Sequence, residues 1–119
     1  MTTTTIDLER TGSAAILRLG GDITSASDAD LTAGFGRAID DGARAVILDF
    51  ARMEYMNSGG IGLLVTLLVR AQRAGARLMA VGLSDHYRQI LSLTRLDEAI
   101  EVHEDETMAL ETVGLEVPR

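Results

Sequence analysis

The sequence predicts an α/β domain, a mixed sheet of four to five strands carrying about four helices. Three observations lead there. Strand-like and helix-like patterns alternate along the chain. The stretch Ala45 to Gly82 reads strand–helix–strand, the right-handed crossover that joins parallel strands. Finally, Ala45-Val46-Ile47-Leu48-Asp49-Phe50 is an almost continuous apolar run of strand length, the pattern of a strand covered on both faces.

The elements follow in order. Ile6 and Leu8 alternate with Asp7 and Glu9 as in a half-buried strand, and Thr11-Gly12-Ser13 supplies a turn into a second strand over Ala15 to Leu19. Gly20-Gly21-Asp22 is expected to break that strand. Ser27 is placed to cap a helix from about Asp28 to Asp41, with Asp28 and Asp30 at its positive end and Gly42 as its stop. Leu31, Phe35, Ala38 and Ile39 give it a buried stripe. After the Ala45–Phe50 strand, Ala51 to Asn57 reads as a loop. A long helix then covers about Ser58 to Ala74, with Ile61, Leu64, Val65, Leu68 and Ala71 assigned to one face and Gly75 as its end. Arg77 to Gly82 is a strand, and Asp85 to Leu93 is a shorter helix capped by Ser84. Ala99 to His103 is a last strand and Glu106 to Thr112 a last helix. Residues 1–119 show no repeat and no linker, so they read as one domain with its core over about 6–112 and a tail over 113–119.

Composition narrows the function. The net charge is −7, and all eleven basic residues are arginine. An acidic surface repels phosphate backbones and anionic lipid, so neither nucleic acid nor a membrane surface is an expected partner. Phe35, Phe50, Tyr55 and Tyr87 are the only aromatics, too few for a base-stacking platform. The first residues, Met1-Thr2-Thr3-Thr4-Thr5, lack the basic and apolar regions of a signal peptide, and the longest apolar run, Ile61 to Val69, falls short of the ~20 residues of a membrane span. A cytoplasmic protein is expected. The acids Asp97, Glu98, Glu101, Glu104, Asp105 and Glu106 crowd a segment without arginine, which reads as a solvated face.

Little in the chain points to catalytic chemistry. Without cysteine there is no thiol nucleophile or thiolate metal site, and without lysine no Walker lysine. His86 and His103 have no partner at ligand spacing, and the glycine clusters do not fit a dinucleotide fingerprint. No metal, no cofactor and no catalytic residue is expected. Asp49 is the one acid inside an apolar strand. A strand-end position, with loop amides satisfying it, is favoured over a catalytic role.

What remains is Met56-Asn57-Ser58-Gly59-Gly60, just beyond a buried strand and at the start of the longest helix. Free amides and the helix dipole favour negative charge there. Ser58 has two readings. It caps the helix, or it presents its hydroxyl for phosphorylation, which adds about −1.5 to −2 charge. On the second reading Gly59 and Gly60 leave the hydroxyl unshielded, although a tight strand-to-helix turn also uses glycines.

The stretch from Val46 through Asn57-Ser58-Gly59-Gly60-Ile61-Gly62-Leu63-Leu64 resembles the signature of STAS domains, the anti-sigma factor antagonists and their relatives. Gly21-Asp22-Ile23 resembles the family's Gly-Glu-Leu element, Gly75-Ala76-Arg77-Leu78 its glycine before the next strand, and Val81-Gly82-Leu83-Ser84 and Leu93-Thr94-Arg95-Leu96-Asp97 its later turns. The resemblance runs from about Ile6 to Leu110 and implies the STAS fold. It also implies a non-enzymatic regulator whose serine at position 58 is phosphorylated. The implied partner is an anti-sigma factor that is also a serine kinase of ATPase fold, bound through Asp22, Thr24, Met56, Asn57, Ser58, Gly59 and Gly60. Phosphorylation ends the complex and a phosphatase restores it. A scaffold role in a larger signalling complex, or constitutive binding without a switch, are the alternatives. Three positions depart from the family pattern: Asn57 for an acid, Gly59 for a small residue with a side chain, and Thr24 for an acid. Asn57 retains hydrogen-bonding capacity and removes a charge beside Ser58, which makes an added phosphate less costly.

Overall fold

The computed structural model describes residues 3–116. Among the described residues five strands and four α-helices follow one another, with short 3-10 turns between some of them: β1 (Thr5–Thr11), β2 (Ala14–Ile23), α1 (Asp28–Asp40), β3 (Ala45–Met56), α2 (Ser58–Ala74), β4 (Arg77–Val81), α3 (Asp85–Leu93), β5 (Glu101–His103) and α4 (Glu106–Glu116). The sheet order is β1-β2-β3-β4-β5, with β1 antiparallel to β2 and every other pair parallel. This is the mixed α/β architecture the patterning predicts.

Strand alternation divides the core in two. Ala15, Leu17 and Leu19 of β2, Val46, Leu48 and Phe50 of β3 and Leu78 and Ala80 of β4 face the first three helices, meeting Leu31 and Phe35 of α1, Leu64, Leu67 and Ala71 of α2 and Leu91 of α3. The alternate residues Ala14, Ile16, Ala45, Ile47, Met79 and Val81 are covered by Ala109 and Val113 of α4. Ala45 through Leu48 are fully buried, as a strand sandwiched between helices must be.

Several expectations give way to tertiary pairing. Gly20-Gly21-Asp22 does not break β2; the strand runs on to Ile23. The stretch Ala51–Met56 is not a loop either, because β3 continues to pair with that extension through Gly20↔Arg52, Gly21↔Met53, Asp22↔Tyr55 and Ile23↔Met56. Two register shifts accompany it, each placing an extra residue on the β3 side, so the strands bend as bulged strands do. Glycine fits at position 20 because a Cβ there would lie 2.5 Å from the Thr5 hydroxyl. The buried face of α2 is also rotated from the expected one: Leu63 and Leu67 are inside with Leu64 and Ala71, whereas Val65 is 41% exposed. Finally, α4 runs beyond Thr112 and buries Val113, a position assigned to the tail. Residues 117–119 lie outside the described residues.

The acidic segment is not simply solvated. Arg18 of β2 clamps Glu106 of α4 through two bonds of 2.8 and 2.9 Å and reaches Glu9 at 2.7 Å. Arg77 of β4 holds Glu101 of β5. Arg18 pulls the Glu106 carboxyl down to about 2, and Arg77 holds Glu101 below the usual carboxylate range. Asp49 lies in the middle of β3 rather than at its end, half-buried, with its carboxylate accepting from the Ala51 amide at 2.9 Å. Burial first, and the neighbouring Glu106 second, push its carboxyl above the ordinary value. The acid is satisfied by a backbone amide, as the structural reading of it required. Of the acids read as a solvated face, Glu106 ties α4 to the sheet and Glu101 ties β5 to β4, whereas Asp97, Glu98, Glu104 and Asp105 are exposed.

Candidate functional site

The paired extensions of β2 and β3 end side by side, at Ile23 and Met56, and each leads into a helix. Both helix starts are capped by side chains. At α2 the cap is Asn57, in an extended conformation, whose Oδ1 accepts from the Gly60 amide at 3.0 Å while its carbonyl accepts from Ile61. The cap reading of Ser58 is therefore corrected: Asn57 already does that work, and Ser58 is the first helical residue, exposed to solvent. Among the described residues nothing hydrogen-bonds its hydroxyl.

The α1 start is corrected in the same way. Ser27 has helical dihedrals and makes no side-chain cap. A single 3-10 turn, Ser25–Ser27, precedes the helix and is closed by a capping box: the Ala26 amide donates to Thr24 Oγ1 at 3.1 Å, and the Thr24 amide to Ser27 Oγ at 3.0 Å. Thr24, where the family pattern has an acid, thus supplies the cap oxygen without the charge. The hydroxyl of Thr4 ties this turn down, donating to the Asp22 carbonyl at 2.6 Å and touching Ser27 Oγ.

The two starts are pressed together. The Asn57 amide donates to the Ile23 carbonyl at 3.3 Å. A Cβ on Gly60 would overlap that same carbonyl and lie 2.6 Å from Met56 Cγ; one on Gly59 would lie 2.8 Å from the Ser25 amide nitrogen. These glycines are needed for the close approach of α2 to the end of β2, rather than to unshield Ser58. Met56 is 5% exposed and lines the core beneath the loop. Asp22, Thr24 and Asn57 are half-buried around the exposed Ser58. All seven residues singled out by sequence thus come from one junction.

Three neighbours escaped sequence reading. Tyr87, in the first turn of α3, accepts the Met56 amide on its hydroxyl at 3.0 Å, fixing the strand end one residue before the cap. Ser25 backs Gly59 through its backbone. Tyr55, half-exposed, flanks the junction on the β3 extension. No local signal marks Tyr87, because its partner lies 31 residues away in sequence. Tyr55 could have been noticed as an aromatic beside a polar loop. Of the histidines, His86 borders the junction through Tyr87, against which its ring packs edge-on, and His103 lies apart on β5 with Nε2 3.8 Å from Glu101. Among the described residues no group of His, Cys, Asp or Glu is placed to hold a metal ion, and no helix is long and apolar enough to cross a membrane.

A five-stranded mixed sheet, three helices on one face, one on the other, and a serine at a capped strand-to-helix junction define a class. The chain belongs to the STAS domain family, whose model matches residues 5–109. It is 26% identical over 76 residues to the anti-sigma factor antagonist BtrV of Bordetella bronchiseptica, a match spanning 64% of this chain and 66% of BtrV, just under two thirds of that relative. Its fold is shared by an anti-sigma factor antagonist from Mycobacterium paratuberculosis (TM-score 0.80, 20% identity, 93% of this chain and 94% of that one). It is shared equally by the Bacillus cell fate determinant SpoIIAA in its phosphorylated form (TM-score 0.72, 23% identity, 92% and 99%).

Proposed function

We propose that this chain is an anti-sigma factor antagonist working by partner switching in the cytoplasm. Unphosphorylated, it binds through the Ser58 junction to an anti-sigma factor that is also a serine kinase of ATPase fold. That kinase moves the γ-phosphoryl group of ATP onto Ser58 Oγ, releasing ADP and the hydroxyl proton. The phosphorylated chain leaves the complex, and a phosphatase returns it to the binding form. The chain itself contributes no catalytic group.

One observation carries the reading: Ser58 is exposed at the first position of α2 while Asn57 does the capping. A serine used as a cap must give up its hydroxyl's local bond to be modified, at about 1 kcal/mol; Ser58 has no such bond to lose. The amide of Gly60 is committed to Asn57 and that of Ile61 to the Asn57 carbonyl, which leaves the Ser58 and Gly59 amides and the helix dipole to favour an added negative charge. The cap and the strand pairing around Ser58 already use their own donors and acceptors, so the phosphate is expected to act on the partner's surface more than on this fold. The relationship to BtrV and the phosphorylated state of SpoIIAA are in keeping with it.

Intact-mass analysis after incubation with candidate anti-sigma kinases and ATP tests the proposal. A single phosphate is expected on the wild-type chain and none on Ser58→Ala. A phosphate that persists in Ser58→Ala, or no phosphate with a kinase that binds the chain, would contradict it.

A further inference from the structure

Helix α2 is apolar on more than the side it buries. Viewed down its axis, Ser58, Gly62, Val65, Val69 and Arg73 fall in one sector about 80° wide. All five are exposed, with Val65 at 41% and Val69 at 40%. Nothing lies within 4 Å of a Cβ built on Gly62, so the middle of the stripe is open. At its far end the exposed Arg73, like Arg37, Arg70 and Arg88, makes no side-chain ion pair or hydrogen bond among the described residues, so its guanidinium is available; what singles it out is its place on the same stripe as Ser58. A cation there complements the carboxyl end of the helix dipole, but that role does not call for an apolar stripe leading up to Ser58.

The stripe is complementary to itself. When two copies of α2 pack antiparallel about a two-fold axis between Val65 and Thr66, Gly62 of one faces Val69 of the other, a hole opposite a knob. The same register sets Ser58 against Arg73 of the second copy, because both lie equally far from the axis on a stretch about 22 Å long. Without phosphate, that arginine meets a neutral hydroxyl and the positive end of a helix, so no attraction across the axis offsets the repulsion between two acidic chains, a repulsion the local arginine–phosphate pair must exceed. A phosphate on Ser58 reverses the local sign and offers the guanidinium strong acceptors.

We propose that the phosphorylated chain self-associates through this stripe, two α2 helices lying antiparallel with Arg73 of each copy bound to the phosphoserine of the other. The inference rests on Ser58 being the modified residue. The released form is then held largely as a dimer with its junction covered, and the phosphatase, acting on the dissociated chain, removes the charge that allows it to pair again.

Analytical ultracentrifugation of a chain carrying phosphoserine at position 58, installed during synthesis so that no kinase is needed, tests this directly. The expected result is a dimer whose dissociation constant is at least roughly tenfold lower than that of the unmodified chain and rises with salt. Arg73→Glu should return the phosphorylated chain to monomer without changing its fold by circular dichroism. A phosphorylated chain that stays monomeric at about 100 μM, or a dimer indifferent to Arg73→Glu, would overturn the proposal. Either failure leaves partner switching untouched, since that is scored by phosphate incorporation and partner affinity rather than by mass in isolation.

Discussion

Gly60→Ala and Gly62→Ala add the same methyl group to the same helix, and their surroundings give them opposite signs. In a helix interior the exchange of glycine for alanine is worth about 0.5–1 kcal/mol in backbone entropy. At Gly62 nothing within 4 Å opposes it, so Gly62→Ala should be more stable by about that amount. At Gly60 the new Cβ overlaps the Ile23 carbonyl and lies 2.6 Å from Met56 Cγ. The carbonyl cannot easily give way, because it belongs to a paired strand end and accepts the Asn57 amide. Overpacking of this kind costs about 1–3 kcal/mol, which outweighs the entropy gain. The entropy gain is common to both, so the two variants should differ by the overpacking cost of about 1–3 kcal/mol, or roughly 0.5–2 M in the midpoint of urea unfolding. Far-UV circular dichroism reads both midpoints. A Gly60→Ala midpoint equal to or above that of Gly62→Ala would refute the close approach of α2 to β2 on which the junction is built.

Asn57→Ala should lower stability by about 1 kcal/mol by freeing the Gly60 amide, while Asn57→Asp retains the cap and should melt at or above the wild-type temperature in calorimetry. Tyr87→Phe keeps the ring but leaves the Met56 amide without its acceptor, at a cost of about 1–3 kcal/mol; hydrogen exchange at Met56 should accelerate more than in the middle of α2. The pH dependence follows from Glu106. Its folded value of about 2 lies below its ordinary 4.5, so its stabilising contribution is present above pH 4.5 and lost as the pH falls toward 2. Asp49, raised in the fold, has the opposite sign and is relieved by acid. Glu101, also held below its ordinary range by Arg77, acts in the same sense as Glu106, so urea midpoints should fall between pH 4.5 and 2, and Glu106→Gln should flatten that fall.

Some of this molecule was written locally and some was not. The limits of α2 and α3 came out as Ser58–Ala74 and Asp85–Leu93 because Gly75, with φ of 70°, and Ser84, as a side-chain cap, are local signals that act within a turn. The extensions of β2 and β3 were illegible because each exists only by pairing with the other, across glycines and bulges that read as strand breakers in isolation. Asn57 and Ser58 are both good caps, and sequence could not choose between them; the position of the Gly60 amide does. The shift from Ser27 to Thr24 has a similar cause, a 3-10 turn inserted ahead of α1 that moves the cap three residues upstream. The rotation of the α2 face arose because the helix is apolar nearly all round, which blunts its periodicity. The residues of the junction were found from the motif, whereas Tyr87 could be found only from the fold.

The central claim is that charge at position 58 decides partner binding. Isothermal titration of the anti-sigma factor with Ser58→Ala and Ser58→Asp, at one salt concentration, isolates that charge from the rest of the junction. Ser58→Ala should bind within about threefold of wild type, and Ser58→Asp about a hundredfold more weakly or not at all. Equal affinity of the two variants would contradict the switch.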